Sequence, residues 1–192
     1  MINIIENYLN SSTCSFLTTT FNKYTHEIPD PGIYGGISKS EFCENIKLGF
    51  PITEYTEDPN YNICVDITTM LCTSMSKTIS DKYDQEYVLR SIFYSDMQEG
   101  GENKLHVDNF YMDLNSNEMV ARPGMEKDIA GLLYLNEEYE GGELNFPSQQ
   151  FEIKPSPGSF VFFEGSLDLP HEVKKVVSGR RNNLICFFTP KK

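Results

Sequence analysis

Residues 159–188 read SFVFFEGSLDLPHEVKKVVSGRRNNLICFF. Three runs, SFVFF, HEVKKVV and RNNLICFF, are rich in β-branched and aromatic residues, and Gly, Ser, Asp and Pro punctuate them. Such runs fit pleated, half-buried strands. The same texture reaches back to about Glu86 through YVLRSIFY, KLHVD, IAGLLYLN, GELNF and FEIK, with turn signals at Glu140-Gly141-Gly142 and Pro155-Ser156-Pro157-Gly158. Many short strands at close spacing predict a barrel or jelly roll. The expected fold is mostly β with flanking helices (α+β), around a double-stranded β-helix core over 86–190.

A chain of 192 residues suits one domain, 1–192, in which 1–85 is mainly helical or irregular support. Ser40, followed by Glu41 and Glu44, predicts a short helix through Lys47. A second helix is expected from Thr68 to about Tyr83, where Leu71, Met75, Ile79 and Tyr83 recur every four residues as a core stripe. Between strands, Asn109 to Lys127 is a long polar loop containing Arg122-Pro123-Gly124. Long loops inside compact domains are usually functional, and this one is expected to fold over a substrate as a lid.

A net charge of -12 argues against a nucleic-acid partner, because counterion release needs clustered Lys and Arg. Five cysteines (Cys14, Cys43, Cys64, Cys72, Cys186) form no CxxC pair, as expected of reduced thiols in a cytoplasmic protein. The opening MINIIENYLNSST lacks a basic start and a long apolar stretch, so neither a signal peptide nor a membrane span is expected. The Asn10-Ser11-Ser12 sequon is then a chance match. Oligomeric state is not legible.

Three histidines can be weighed singly. In Leu105-His106-Val107-Asp108, strand alternation points His106 and Asp108 to one face. A lone HxD triplet is common by chance. His171, opening HEVKKVV, changes this, since a jelly roll can bring it beside the triplet. Two imidazoles and one carboxylate on one face are the facial triad of non-haem iron(II), leaving open sites for a bidentate 2-oxo acid and dioxygen. Zinc would gain little from open sites. His26 reads as a surface residue.

Arg181 shares a face with Asn183, Ile185 and Phe187. An arginine inside a barrel must meet an anion, and its planar fork suits a carboxylate. A one-residue slip would put Arg180 inside instead. Tyr134 either adds a hydroxyl to that carboxylate or is an ordinary core tyrosine.

In order, LHVDNF, YLNEEYEGGELNFP, PSPGSFVFFEG and PHEVKKVVSGRRNNLICFF resemble the prolyl 4-hydroxylase-type branch of the 2-oxoglutarate oxygenases, over about 86 to 188. The resemblance implies that His106, Asp108 and His171 bind iron(II). It also implies that Arg181 and Tyr134 grip the far carboxylate of 2-oxoglutarate, and that ascorbate serves as a reductant. Aligning Leu184 and Phe187 with the family's closing strand selects Arg181 over Arg180 and puts Phe187 on the substrate side. It implies a dioxygenase that hydroxylates a prolyl residue in a protein or peptide. The alternatives are a free amino acid or small metabolite as substrate, or a metal-binding module without turnover. Departures are Tyr94, two residues further from His106 than the family's tyrosine, and Asn103, where the family has a second tyrosine.

Overall fold

The computed structural model describes residues 1–24, 33–34, 37–38, 43–51, 55–113 and 115–191, the stretches between 33 and 51 by backbone alone. His26 lies outside these residues, as does the side chain of Cys43.

The expected strands are present, and ten of the strands form one antiparallel sheet. Its main path runs β1 (Ile2–Ile5), β12 (Phe160–Glu164), β8 (Ile129–Tyr134), β14 (Val176–Pro190), β5 (Tyr87–His106), β13 (His171–Val173), β10 (Leu144–Phe146) and β11 (Phe151–Ile153). Strand β4 (Cys43–Pro51) also pairs with β5, and β9 (Tyr139–Gly141) with β14. Sequence-distant neighbours, such as β8 beside β14 and β5 beside β13, give the curled jelly-roll connectivity expected. β2 (Ile33–Tyr34) and β3 (Ile37–Ser38) pair with each other, apart from this sheet.

Two cores form, one on each side of the sheet. Alternation along β14 sends Leu184, Cys186 and Phe188 outward, where Ile92, Tyr94, Leu133 and Phe160 join them against two helices. Helix α1 (Ser11–Phe21) contributes Cys14, Leu17 and Phe21, and α2 (Pro59–Tyr83) contributes Cys64, Met75 and Ile79. Inside the curl, Leu132, Tyr134, Leu144, Phe146, Val161, Phe163 and Val173 make the second core.

Four sequence expectations need correction. The helix predicted from Ser40 to Lys47 does not form; Cys43–Pro51 is a strand laid along β5, with Ile46 opposite Met97 and Leu48 opposite Ser95. An open ladder beside a 20-residue strand outweighs weak local helix signals. The second helix starts nine residues before Thr68, at Pro59. Asp58 caps it by accepting from the Asn60 amide at 2.8 Å, and Pro59 occupies a first-turn position where its missing N–H costs nothing. Its buried face centres on Thr68, Cys72, Met75 and Ile79, while Leu71 and Tyr83 are half-buried at the edge. Finally, the Asn109–Lys127 segment is not wholly loop: β6 (Phe110–Asp113) and β7 (Glu118–Ala121) pair as a hairpin. Helix α1, which no sequence signal singled out, is capped by Asn10, whose side chain accepts from the Thr13 amide. Among the described residues no helix is long and apolar enough to cross a membrane.

Candidate metal and cosubstrate site

β5 ends at His106, and two residues later Asp108 enters the same cavity. β13 begins at His171, which is the cross-strand partner of His106. This register brings the imidazole centroids to 4.4 Å. His106 Nε2 lies 3.5 Å from Asp108 Oδ1, and His171 Nε2 lies 3.5 Å from Asp108 Oδ2. The three donor atoms all fall within 4.8 Å of one another.

Both rings are oriented from behind. His106 Nδ1 is 2.7 Å from the Lys104 carbonyl and His171 Nδ1 is 3.1 Å from the Leu169 carbonyl. A carbonyl only accepts, so each Nδ1 carries a proton and donates, and each ring turns its Nε2 toward Asp108. His171 packs against Phe163 at 4.7 Å and Phe146 at 5.5 Å. Burial pushes its pKa below the ordinary imidazole value despite the opposing charge of Asp108. Burial alone would raise the Asp108 carboxyl; His171, His106 and Arg122 together hold it below its ordinary value. Two ring nitrogens and a carboxylate oxygen converge here, from a nearly buried wall, on one point. The donor set therefore fits a divalent metal.

The second part of the site is Arg181, 1% exposed and lining the same cavity of about 580 Å3 as the triad. Its Nη2 donates to the Tyr134 hydroxyl and its Nη1 to Asn183 Oδ1, each at 3.0 Å, and its guanidinium lies 5.0 Å from the Tyr134 ring centroid. Nε makes no well-formed hydrogen bond, although the Tyr139 hydroxyl comes near the guanidinium, and among the described residues no carboxylate pairs with it. A guanidinium buried without an anion is costly, so the cavity is built to receive one. Gly142 (φ +68°) makes room; a Cβ there would lie 3.1 Å from Arg181 Cδ. Tyr139 packs beside it. Burial pushes that phenol up to about 12, against the opposing charge of Arg181.

Arg180 faces the other way. It forms an ion pair with Asp96, which is fully buried, and reaches Asn22 at the end of α1. The inward arginine is Arg181, as expected. Tyr94 also faces the helices, packs on Phe21 at 5.0 Å and donates to Asn22 Oδ1 at 2.9 Å, so it stays outside the cavity. Phe187 and Asn103 line the cavity. So do Phe110, Tyr111, Met112, Met119, Arg122 and Met125 from the hairpin segment.

Three residues escaped the sequence reading as site residues. Asn183 was legible only as a face-mate of Arg181. Ser95 lines the cavity in the register opposite Asn183, which needs the strand pairing to be known. Asn109 pins the chain directly after Asp108: its amide donates to the Gly165 carbonyl at 3.0 Å and its Nδ2 to the Asp128 carbonyl at 2.8 Å.

A facial His-Asp-His cluster and a buried, anionless arginine on a curled antiparallel sheet define an iron and oxo-acid binding class of jelly roll. The chain belongs to the 2OG-Fe(II) oxygenase superfamily, whose model matches residues 92–189. The family's two reactants, iron(II) and 2-oxoglutarate, are its cofactor and cosubstrate. Among relatives, the chain is 34% identical over 92 residues to "Prolyl 3-hydroxylase 2" of Homo sapiens, covering 44% of this chain and 13% of that protein. It is 29% identical over 189 residues to a PKHD-type hydroxylase of Psychrobacter sp. (strain PRwf-1), covering 94% and 66%. The chain thus spans a small fraction of the prolyl 3-hydroxylase. The fold is shared with the viral collagen prolyl hydroxylase of Paramecium Bursaria Chlorella virus-1 (TM-score 0.63, 17% identity, 100% of this chain and 96% of that one). It is shared equally with a Pseudomonas putida prolyl-4-hydroxylase (TM-score 0.63, 17% identity, 100% and 93%).

Proposed function

We propose that this chain is a 2-oxoglutarate- and iron(II)-dependent dioxygenase that hydroxylates a prolyl residue in a protein or peptide, releasing succinate and carbon dioxide. The observation that carries the reading is the coexistence, in one cavity, of two convergent imidazole nitrogens and a carboxylate with a buried guanidinium that meets no carboxylate among the described residues. His106, Asp108 and His171 hold the metal. Arg181 and Tyr134 hold the far carboxylate of 2-oxoglutarate; the Tyr134 hydroxyl accepts from Arg181 and keeps its own proton to donate.

When bound, iron with 2-oxoglutarate supplies the oxidant that places one oxygen in a C–H bond. The protein's own part is geometric. Lys104 and Leu169 carbonyls fix both rings, Phe146 and Phe163 exclude water behind His171, and the strand pairing of His106 with His171 sets the ligand spacing.

A peptide substrate is supported by the wall the hairpin offers. Leu105, Met112 and Met119 line the cavity yet are 56%, 44% and 40% exposed, an apolar mouth suited to an extended chain. The names of the prolyl hydroxylase relatives point the same way. Cys14, Cys64, Cys72 and Cys186 are buried free thiols, which suits one oxygenase domain working in the cytoplasm with ascorbate available.

The test incubates the protein with iron(II), ascorbate, oxygen, 2-oxoglutarate and proline-rich peptides. Succinate formation together with a mass gain of one oxygen on prolyl peptide supports the reading. Absence of succinate under every condition overturns it, and oxygen gained by free proline but by no peptide moves the substrate to a small metabolite.

A further inference from the structure

Eight buried side-chain nitrogen or oxygen atoms lack a hydrogen-bond partner among the described residues. Three of them, Ser95 Oγ, Arg181 Nε and Asn183 Nδ2, sit together on the inner face of β5 and β14 rather than scattered through the fold. Register makes the grouping tight. Asn183 pairs with Tyr134 on one side and with Ser95 on the other, so these residues form one row across β8, β14 and β5, and Arg181 stands two residues along β14. Ser95 and Asn183 are 1% and 0% exposed, and Ser95 lines the cavity.

The orphans share a chemistry. Arg Nε and an amide Nδ2 only donate, and a serine hydroxyl can. Asn183 already spends its oxygen on Arg181 Nη1, so its remaining capacity is two N–H bonds. A row of unmet donors in a buried wall calls for an acceptor-only group, and a carboxylate offers about four lone-pair sites. Arg181 Nε, the Tyr134 hydroxyl, Asn183 Nδ2 and Ser95 Oγ supply four donors.

We propose that Ser95 and Asn183 complete the carboxylate subsite, donating with Arg181 and Tyr134 to the far end of 2-oxoglutarate; this rests on the oxygenase reading above. Tyr94 is turned to the helices, where it donates to Asn22 Oδ1, so it adds no donor to this wall.

The experiment is calorimetric titration of 2-oxoglutarate into Mn(II)-loaded protein, beside thermal midpoints of the ligand-free forms. Ser95→Ala weakens binding by about tenfold or more, since a hydrogen bond to a charged group is lost. Its ligand-free midpoint does not fall, because the hydroxyl has no partner to lose. Asn183→Asp is the same size and sets a carboxylate where an oxygen already lies 3.0 Å from Arg181 Nη1. It abolishes binding and raises the ligand-free midpoint. Arg181→Ala separates the two claims. If it loses binding while Ser95→Ala and Asn183→Asp bind like wild type, the added donors are refuted and the oxygenase reading stands. If Arg181→Ala itself binds normally, the reading fails and the subsite with it. A ligand-free Ser95→Ala midpoint well below wild type assigns that hydroxyl to internal structure and also refutes the proposal.

Discussion

His171 stands directly across the antiparallel ladder from His106, and the two Nε2 atoms turn toward opposite oxygens of Asp108. A metal that binds these three groups in the folded chain and not in the unfolded one must stabilise the fold. Iron(II) or Mn(II), added anaerobically, is expected to raise the thermal midpoint by several degrees; a ligand at a hundred times its Kd adds about 2.7 kcal/mol. Chelation reverses the rise. His171→Ala keeps its secondary structure but shows no metal-dependent shift in fluorimetry, and an undiminished shift in that variant would place the metal elsewhere.

Arg180 and Arg181 are neighbours with opposite tasks, and their alanine variants should fail differently. Arg181→Ala loses 2-oxoglutarate binding while retaining the metal-dependent shift. Among the described residues, Arg180→Ala leaves the fully buried Asp96 with its Asn182 and Gln98 donors alone. The half-exposed position of Arg180 discounts the loss, so a cost of about 1–3 kcal/mol is expected in urea denaturation, with cosubstrate affinity changed little. The opposite pattern would mean that the strand is one residue out of register.

How much of this was legible follows from where each signal lives. The candidate ligands were readable because their spacing is local: Asp108 turns into the same cavity as His106 although β5 ends at His106 and the expected strand does not reach it, and the apolar residues Leu184, Cys186 and Phe188 fix which way Arg181 points. His171 needed the jelly-roll topology, which the run of strands implies. Ser95 was not readable, because nothing near it in sequence says that it will oppose Asn183. Strand β4 was misread for the same reason: Glu41 and Glu44 are local helix signals, and the β5 ladder that overrides them lies more than 40 residues away in sequence. The start of α2 was legible in Asp58-Pro59, a cap and first-turn pair that the periodicity of Leu71 and Met75 overshadowed.

Gly165 packs so closely on Asn109 that a Cβ there would come within 2.5 Å of Asn109 Oδ1. Asn109 follows Asp108 directly, and its amide and side chain hold it to Gly165 and Asp128. Gly165→Ala therefore pushes on the backbone that carries the metal carboxylate. The expected result is metal affinity down about tenfold or more with 2-oxoglutarate recognition by Arg181 intact once metal is saturating. A titration of Mn(II) followed by its electron paramagnetic resonance signal measures this, and unchanged affinity would show that Asn109 yields without moving Asp108.

The hairpin segment that walls the cavity is tied down at its root. Asp128 is 1% exposed and pairs with Arg90 at 2.5 Å, and Arg90 also donates to the Gly124 carbonyl and to Thr189 Oγ1 at 3.0 Å. At the other root, the Arg122 amide donates to the Asn109 carbonyl at 2.7 Å and its Nε to the Asp108 carbonyl at 3.0 Å. Among the described residues the turn at the hairpin tip carries only local bonds, the Asn115 amide and the Ser116 hydroxyl donating to the Asp113 carboxylate and the Asn117 amide to the Asp113 carbonyl. A segment fixed at both roots and held locally at its tip is expected to move as a flap, its opening set by the roots. Arg90→Ala strands the buried Asp128 carboxylate and frees Gly124, so amide hydrogen exchange over 109–128 is expected to quicken about tenfold or more while α2 stays protected. Coupled hydroxylation then falls more than metal binding, because the wall that aims the substrate has loosened and the ligands have not. Exchange that quickens uniformly across the chain would instead make the Arg90–Asp128 pair a global support, and the segment would lose its standing as a separate moving part.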